Sequence, residues 1–133
     1  MGQTQIIEIP PNERPDGKMR GFESGATRDC AEGKIDYEGC LSPLVLEAFG
    51  EYMLDCSVCS DGSKRPSDNW QKGIPLQEYM RSLLRHTMDA WKIHRGYEVK
   101  DRKTGKIITM RVALSAIMFN VMGYFHEYLK KEI

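Results

Sequence analysis

Between Pro75 and Arg95 the apolar residues fall at Leu76, Tyr79, Met80, Leu83, Leu84, Met88 and Trp91. That spacing of three and four places them on one face of an α-helix. Pro75 suits the first helical position and Gly96 the residue just past the end. An earlier helix is predicted from Ser42 to about Asp55. Ser42 is a good N-cap, Pro43 fits the first turn, and Leu44, Leu46, Phe49, Met53 and Leu54 give an apolar face. The last helix runs from about Arg111 to Lys131. Val112, Leu114, Ile117, Phe119, Val121, Phe125 and Leu129 leave it almost no polar face, which predicts the buried helix of a bundle. One stripe on it differs. Ala113, Ala116, Asn120, Gly123 and Glu127 recur at three or four, so small residues there admit another helix, and Asn120 and Glu127 must find polar partners.

Between these elements the pattern breaks. Residues 56–74 carry Asp61-Gly62, Pro66 and the cluster Ser67-Asp68-Asn69, the chemistry of a loop. YEVKDRKTGKIITM alternates around Thr104-Gly105 and reads as a small β-hairpin inserted between helices. Residues 1–24 are rich in Pro, Gly and charge and read as an extended N-terminal arm, with a short strand at Gln5–Ile9. The expected fold is all-α: a helical bundle of about three main helices, with the arm over 1–24 and a single domain over 25–133.

Composition narrows the classes. A chain of 133 residues supports one domain with its own core. Its 19 basic and 19 acidic side chains balance, which disfavours nucleic acid as a partner. No apolar run approaches the ~20 residues of a membrane span, and the first residues lack the apolar core of a signal peptide. A cytosolic location, without a membrane, is expected. Eight methionines and so apolar a last helix point to a homo-oligomer whose subunits cover that surface. Cys56 and Cys59 have zinc-knuckle spacing, but Cys30 and Cys40 are ten apart, too loose for a second pair, so thiols are favoured over a structural zinc.

Three stretches carry a resemblance: GATRDCAEGKIDYEGCLSPLVLEAFGEYM, DGSKRPSDNWQKGIPLQEYMRSLLRHTMDAWKIHRG and ALSAIMFNVMGYFHE. They resemble a bacteriophage domain family identified as the N-terminal domain of dATP/dGTP diphosphohydrolases, over about residues 25–127. The resemblance implies a nucleotide-handling protein of a phage-infected cell. It would bind a purine (deoxy)nucleoside phosphate and act on it with Mg²⁺ or Mn²⁺. Proteins of that family carry a further domain similar to the all-α MazG-type pyrophosphohydrolases, in which two helices hold Mg²⁺ through glutamates and an aspartate. Overlaid on that pattern, SLLRHTMDAW and ALSAIMFNVM match in apolar frame but not in ligands. Arg85, His86 and Asp89 stand where the resemblance implies glutamates, and Ala113 and Ala116 replace the second pair. Alanines offer a hard cation no oxygen.

An alternative site remains in the sequence. His86 and Asp89 share a helix surface and are the candidate catalytic pair. Asp36, Asp89 and Glu127 are candidate ligands for a divalent metal. Arg28 and Lys34, from the charge-dense string RDCAEGKIDY, would take phosphate oxygens, joined by Asn120 and by Trp70 and Lys72 of DNWQKG, as stacking ring and phosphate contact. Each has a structural counterpart. The loop charges brace a turn, His86 and Asn120 satisfy buried polar atoms, and Trp70 anchors a long loop. A non-enzymatic binding module, sequestering a nucleotide or docking a protein partner, is the second functional class; the alanine pair favours it.

Overall fold

The computed structural model describes residues 19–29 and 32–132. The expected strand at Gln5–Ile9 and Cys30 lie outside them. The chain divides into two units at the junction of Leu41 and Ser42, whereas one domain was expected over 25–133.

The described part of the first unit is a hairpin followed by a single helical turn. Strands β1 (Met19–Gly21) and β2 (Thr27–Asp29) pair antiparallel, with Arg20 opposite Arg28. Their turn closes through Phe22 N–H to Ala26 O at 3.0 Å, with Gly25 at φ +88°. Residues 19–24, assigned to the extended arm, therefore belong to a β-hairpin. Helix α1 (Tyr37–Cys40) is capped by Asp36, whose Oδ1 accepts from Gly39 N–H at 3.0 Å.

The second unit holds the three expected helices. Helix α2 (Pro43–Cys56) begins as read, with Ser42 Oγ accepting from Val45 N–H and Pro43 in the first turn. Helix α3 (Leu76–His94) starts one residue later than Pro75 and stops at Gly96. There Tyr97 N–H bonds Lys92 O and Gly96 N–H bonds Ile93 O, with Gly96 at φ +90°, a left-handed closure that glycine adopts without a Cβ penalty. Helix α4 (Met110–Lys130) is capped by Thr109 Oγ1 accepting from Val112 N–H at 3.2 Å.

Residues 97–109 fold back as expected, but pair through one bridge, Lys100 opposite Ile107. The segment adds backbone bonds from Ile108 N–H to Val99 O and from Asp101 N–H to Lys106 O, both 2.8 Å, flanking that bridge. Its tip is held by Asp101, whose Oδ1 accepts from Lys103 N–H and Thr104 N–H at 2.8 and 2.9 Å. Those bonds favour the carboxylate and hold Asp101 below its ordinary pKa. The long loop after α2 has its own order: a bridge from Val58 to Lys64 and a 3₁₀ turn over Asn69–Lys72.

The packing runs through α3 and α4, which lie antiparallel. Asn120 on α4 bonds Ser82 on α3 at 3.2 Å, while Gly123 and Phe119 flank Tyr79. The small-residue stripe is the contact, with Ala113, Ala116, Asn120 and Gly123 all buried. The rest of α4 departs from expectation. Leu114, Val121, Phe125 and Tyr128 are each about half exposed in this chain, so α4 is buried along one stripe and not all round. On α3, likewise, Tyr79 is buried, but Met80, Leu84, Met88 and Trp91 are exposed.

Gly123 has no room for a side chain, since a Cβ there would overlap the Tyr79 ring. Gly123→Ala is expected to lose on the order of 1–3 kcal/mol in urea unfolding, as overpacked cores do. Gly50, mid-helix in α2 with nothing within 4 Å of an added Cβ, gives the opposite sign. Gly50→Ala should gain about 0.5–1 kcal/mol from helix propensity alone.

Candidate functional site

Two places in the second unit gather polar or aromatic side chains. The first is the α3–α4 contact. Asn120, 4% exposed, donates through Nδ2 to Ala116 O at 2.8 Å and to Ser82 Oγ at 3.2 Å. Its amide is thus committed to holding the two helices together. One and two turns toward the C-terminus of α3 from Ser82, His86 Nδ1 stands 3.6 Å from Asp89 Oδ2. That is ion-pair range but beyond a hydrogen bond, and Nδ1 has no bonded partner. Both side chains are partly covered, 31% and 22% exposed.

Glu127 lies at the other end of the same contact. One carboxylate oxygen is 3.5 Å from Lys130 Nζ; the other is buried without a partner, as is the Tyr79 hydroxyl. Burial first, and then the nearby Glu127 charge, raise the Tyr79 pKa. Because Glu127 sits by Tyr79, it is separated from Asp89 by ten residues of α3, or ~15 Å along the axis. Two oxygens on one Mg²⁺ are at most ~4 Å apart. Asp89 and Glu127 therefore do not share an ion in this arrangement. No group of three His, Cys, Asp or Glu side chains suited to a metal occurs among the described residues. Ala113 and Ala116, 0% and 1% exposed in the α3–α4 contact, offer a cation no oxygen. Asp36, the third metal candidate, caps α1 within the first unit. Arg28 on β2 and the exposed Lys34 belong to that unit too.

The second place was not foreseen as a site. The loop after α2 and its 3₁₀ turn form a cavity of about 200 Å³ with α2 and α4. Tyr52, Met53, Trp70 and Phe119 supply apolar walls; Arg65 and Asn69 supply polar ones. A neighbouring hollow of about 320 Å³ shares Met53, Ser57, Arg65 and Ser67. Arg65 thus stands at the seam between the two, steadied by an Nη2–H donated to Cys56 O at 3.0 Å. Trp70 meets the His126 ring edge-on, 4.8 Å between centroids at 73°, so it anchors the loop to α4 while still lining the cavity. Lys72, at the end of the 3₁₀ turn, is exposed.

Of the candidate residues, then, His86 and Asp89 come together, and Asn120 joins α3 to α4. Trp70 forms part of a cavity wall. Sequence reasoning left His126 out, and missed Tyr52 and Arg65. The signal for His126 was its face of α4, which it shares with Phe119 two turns earlier. Nothing local marks Arg65, which reaches the seam only because the loop folds back at Val58 and Lys64. Cys40, Cys56 and Cys59 are free thiols. Cys56 is within hydrogen-bonding reach of Tyr52, whose pKa is raised by burial and, after it, by that thiol.

Among the described residues no helix is long and apolar enough to cross a membrane. No protein-family model, no curated protein and no solved structure matches the chain.

The two raised phenols make an alkaline titration informative. A folded-state pKa above the unfolded value of ~10 contributes stability that is complete below that value and is lost as pH rises through the folded pKa. Tyrosinate absorbance at 295 nm should therefore show a late component from Tyr52 and Tyr79 that coincides with loss of helical circular dichroism. Tyr52→Phe should shrink it. A single early, reversible titration of every tyrosine would contradict the half-buried placement of Tyr52 and the buried one of Tyr79.

Proposed function

We propose that this protein is a nucleotide-handling protein that binds a purine (deoxy)nucleoside phosphate at the paired hollow beside Trp70. The observation that carries the reading is the arrangement at that hollow: a cavity with Trp70, Phe119 and Tyr52 in its walls, opening past Arg65 onto a second one. A purine is planar and apolar on its faces, and aromatic walls suit it. Arg65 in the lining, and Lys72 two residues after Trp70 on the same 3₁₀ turn, are the groups for the phosphates, Arg as a fork and Lys as a point charge. The resemblance to the phage dATP/dGTP diphosphohydrolase domain supports the choice of purine and a host-cytosol setting during infection.

Of the two forms this function takes, Ala113 and Ala116 favour binding without turnover over cleavage. On the resemblance they stand where MazG-type pyrophosphohydrolases carry metal ligands, and both are buried in this chain. Mg²⁺ or Mn²⁺ then enters on the nucleotide's own phosphates, as it commonly does. Sequestration of a nucleotide, or recognition on behalf of a partner enzyme, follows from that form.

A thermal-shift panel of dNTPs and NTPs, with and without Mn²⁺, tests the reading. Purine nucleotides at a hundred times their dissociation constant should add ~2.7 kcal/mol of apparent stability. Trp70→Ala and Arg65→Gln, each measured against its own unliganded baseline, should remove that shift. A shift that survives both changes but disappears in Asp89→Asn would move the ligand to the His86–Asp89 edge. No shift with any nucleotide would end the nucleotide reading, and metal-dependent release of pyrophosphate would make the protein an enzyme.

A further inference from the structure

Helices α3 and α4 share an uncovered side. On α3, Met80, Leu84, Met88 and Trp91 are 39%, 62%, 47% and 54% exposed. On α4, Leu114, Val121, Phe125 and Tyr128 are 49%, 45%, 53% and 53% exposed. At about 100° per residue, each stripe lies ~130° around its helix from the α3–α4 contact line, in the same rotational sense. Because the helices run antiparallel, both stripes come to the same side of the pair. The opposite side of α4 is taken by α2 and the Trp70 loop, through Phe119 and His126. Within the two stripes themselves, between Met80 and Trp91 and between Leu114 and Tyr128, no position is charged; Arg81, paired with Glu78, borders the α3 stripe.

We infer that this side docks a second copy of the chain, two α3–α4 pairs closing into a four-helix core. Three observations choose that occupant. The first is the poverty of the core without it: the buried apolar residues among those described are Tyr79, Val99, Ala113 and Ala116. Two of these are alanines, too little to hold a unit of this length. The missing core must be supplied constitutively, and the partner present wherever the chain is made is the chain itself. The second is area. About half of each exposed side chain, on the order of 100 Å² apiece, totals roughly 800 Å², the share each partner buries in a standard interface. The third is charge. An uncharged face gives a charged partner nothing to read, whereas two neutral copies, each with 19 basic and 19 acidic side chains, meet without net repulsion. Helices of 19 and 21 residues are matched in length, as a twofold bundle of helix pairs requires. The inference is independent of the nucleotide reading, since the Trp70 hollow lies on the other side of α4.

Light scattering coupled to size exclusion tests it on the full chain. The expected mass is twice the chain's 15.3 kDa, and the urea midpoint should rise with protein concentration, as for an obligate dimer. Leu84→Lys and Phe125→Lys should each bring the mass to one chain or abolish the helical circular dichroism. Leu44→Lys on α2, where the side chain is 82% exposed, should leave the dimer intact. A single-chain mass with a concentration-independent midpoint overturns the proposal. So does an assembly that survives both lysines on the α3–α4 side, or one that Leu44→Lys dissolves.

Discussion

The structure depends on how closely α4 lies against α3. Ala113, Ala116 and Gly123 let the two backbones approach, and the Tyr79 ring fills the place a side chain at position 123 would occupy. Close approach brings many weak dispersion contacts into range, but it also seals polar groups from water. Asn120 resolves that conflict at the middle of the contact by bonding both its own helix and Ser82 across the seam. Nearer the end, the Tyr79 hydroxyl and one Glu127 oxygen are sealed without a bonded partner, and burial, then the Glu127 charge, raises the Tyr79 pKa.

From that contact the remaining features follow. With small residues facing α3, the large apolar residues of α4 are turned to its other flanks. One flank receives α2 and the loop that carries Trp70, and there the packing leaves a hollow with Arg65 at its seam. The other is left bare in the single chain. The molecule thus separates an uncovered apolar face from a cleft walled by Tyr52, Trp70 and Phe119. The alanines that admit α3 are themselves sealed in the contact, Ala113 at 0% and Ala116 at 1% exposure.

Much of this could be read from the sequence, and the reasons for the rest are physical. Helix ends were legible because caps are local: Ser42, Thr109 and Gly96 announce their roles through side-chain oxygens or the absence of a Cβ. The small-residue stripe was legible because its period is that of the helix. Burial was not, since periodicity says that Leu114 or Met88 is apolar on a face but not whether this chain alone covers that face. The Trp70 cavity was legible in its tryptophan only; Tyr52 reaches it from α2, and Arg65 from a loop that turns back through the Val58–Lys64 bridge. The hairpin at residues 19–29 went unread because its sequence is as rich in turn formers as an extended arm.

Native-state hydrogen exchange resolved along the chain tests the organising role of the α3–α4 contact most directly. Amides open locally or with the whole core according to how they are packed. The account predicts that the slowest amides cluster where the helices meet, around residues 82–93 and 113–123, with α2 exchanging measurably faster. Protection greatest in α2, or lost from the middle of α4 while α2 retains it, would contradict the claim that this contact holds the fold together.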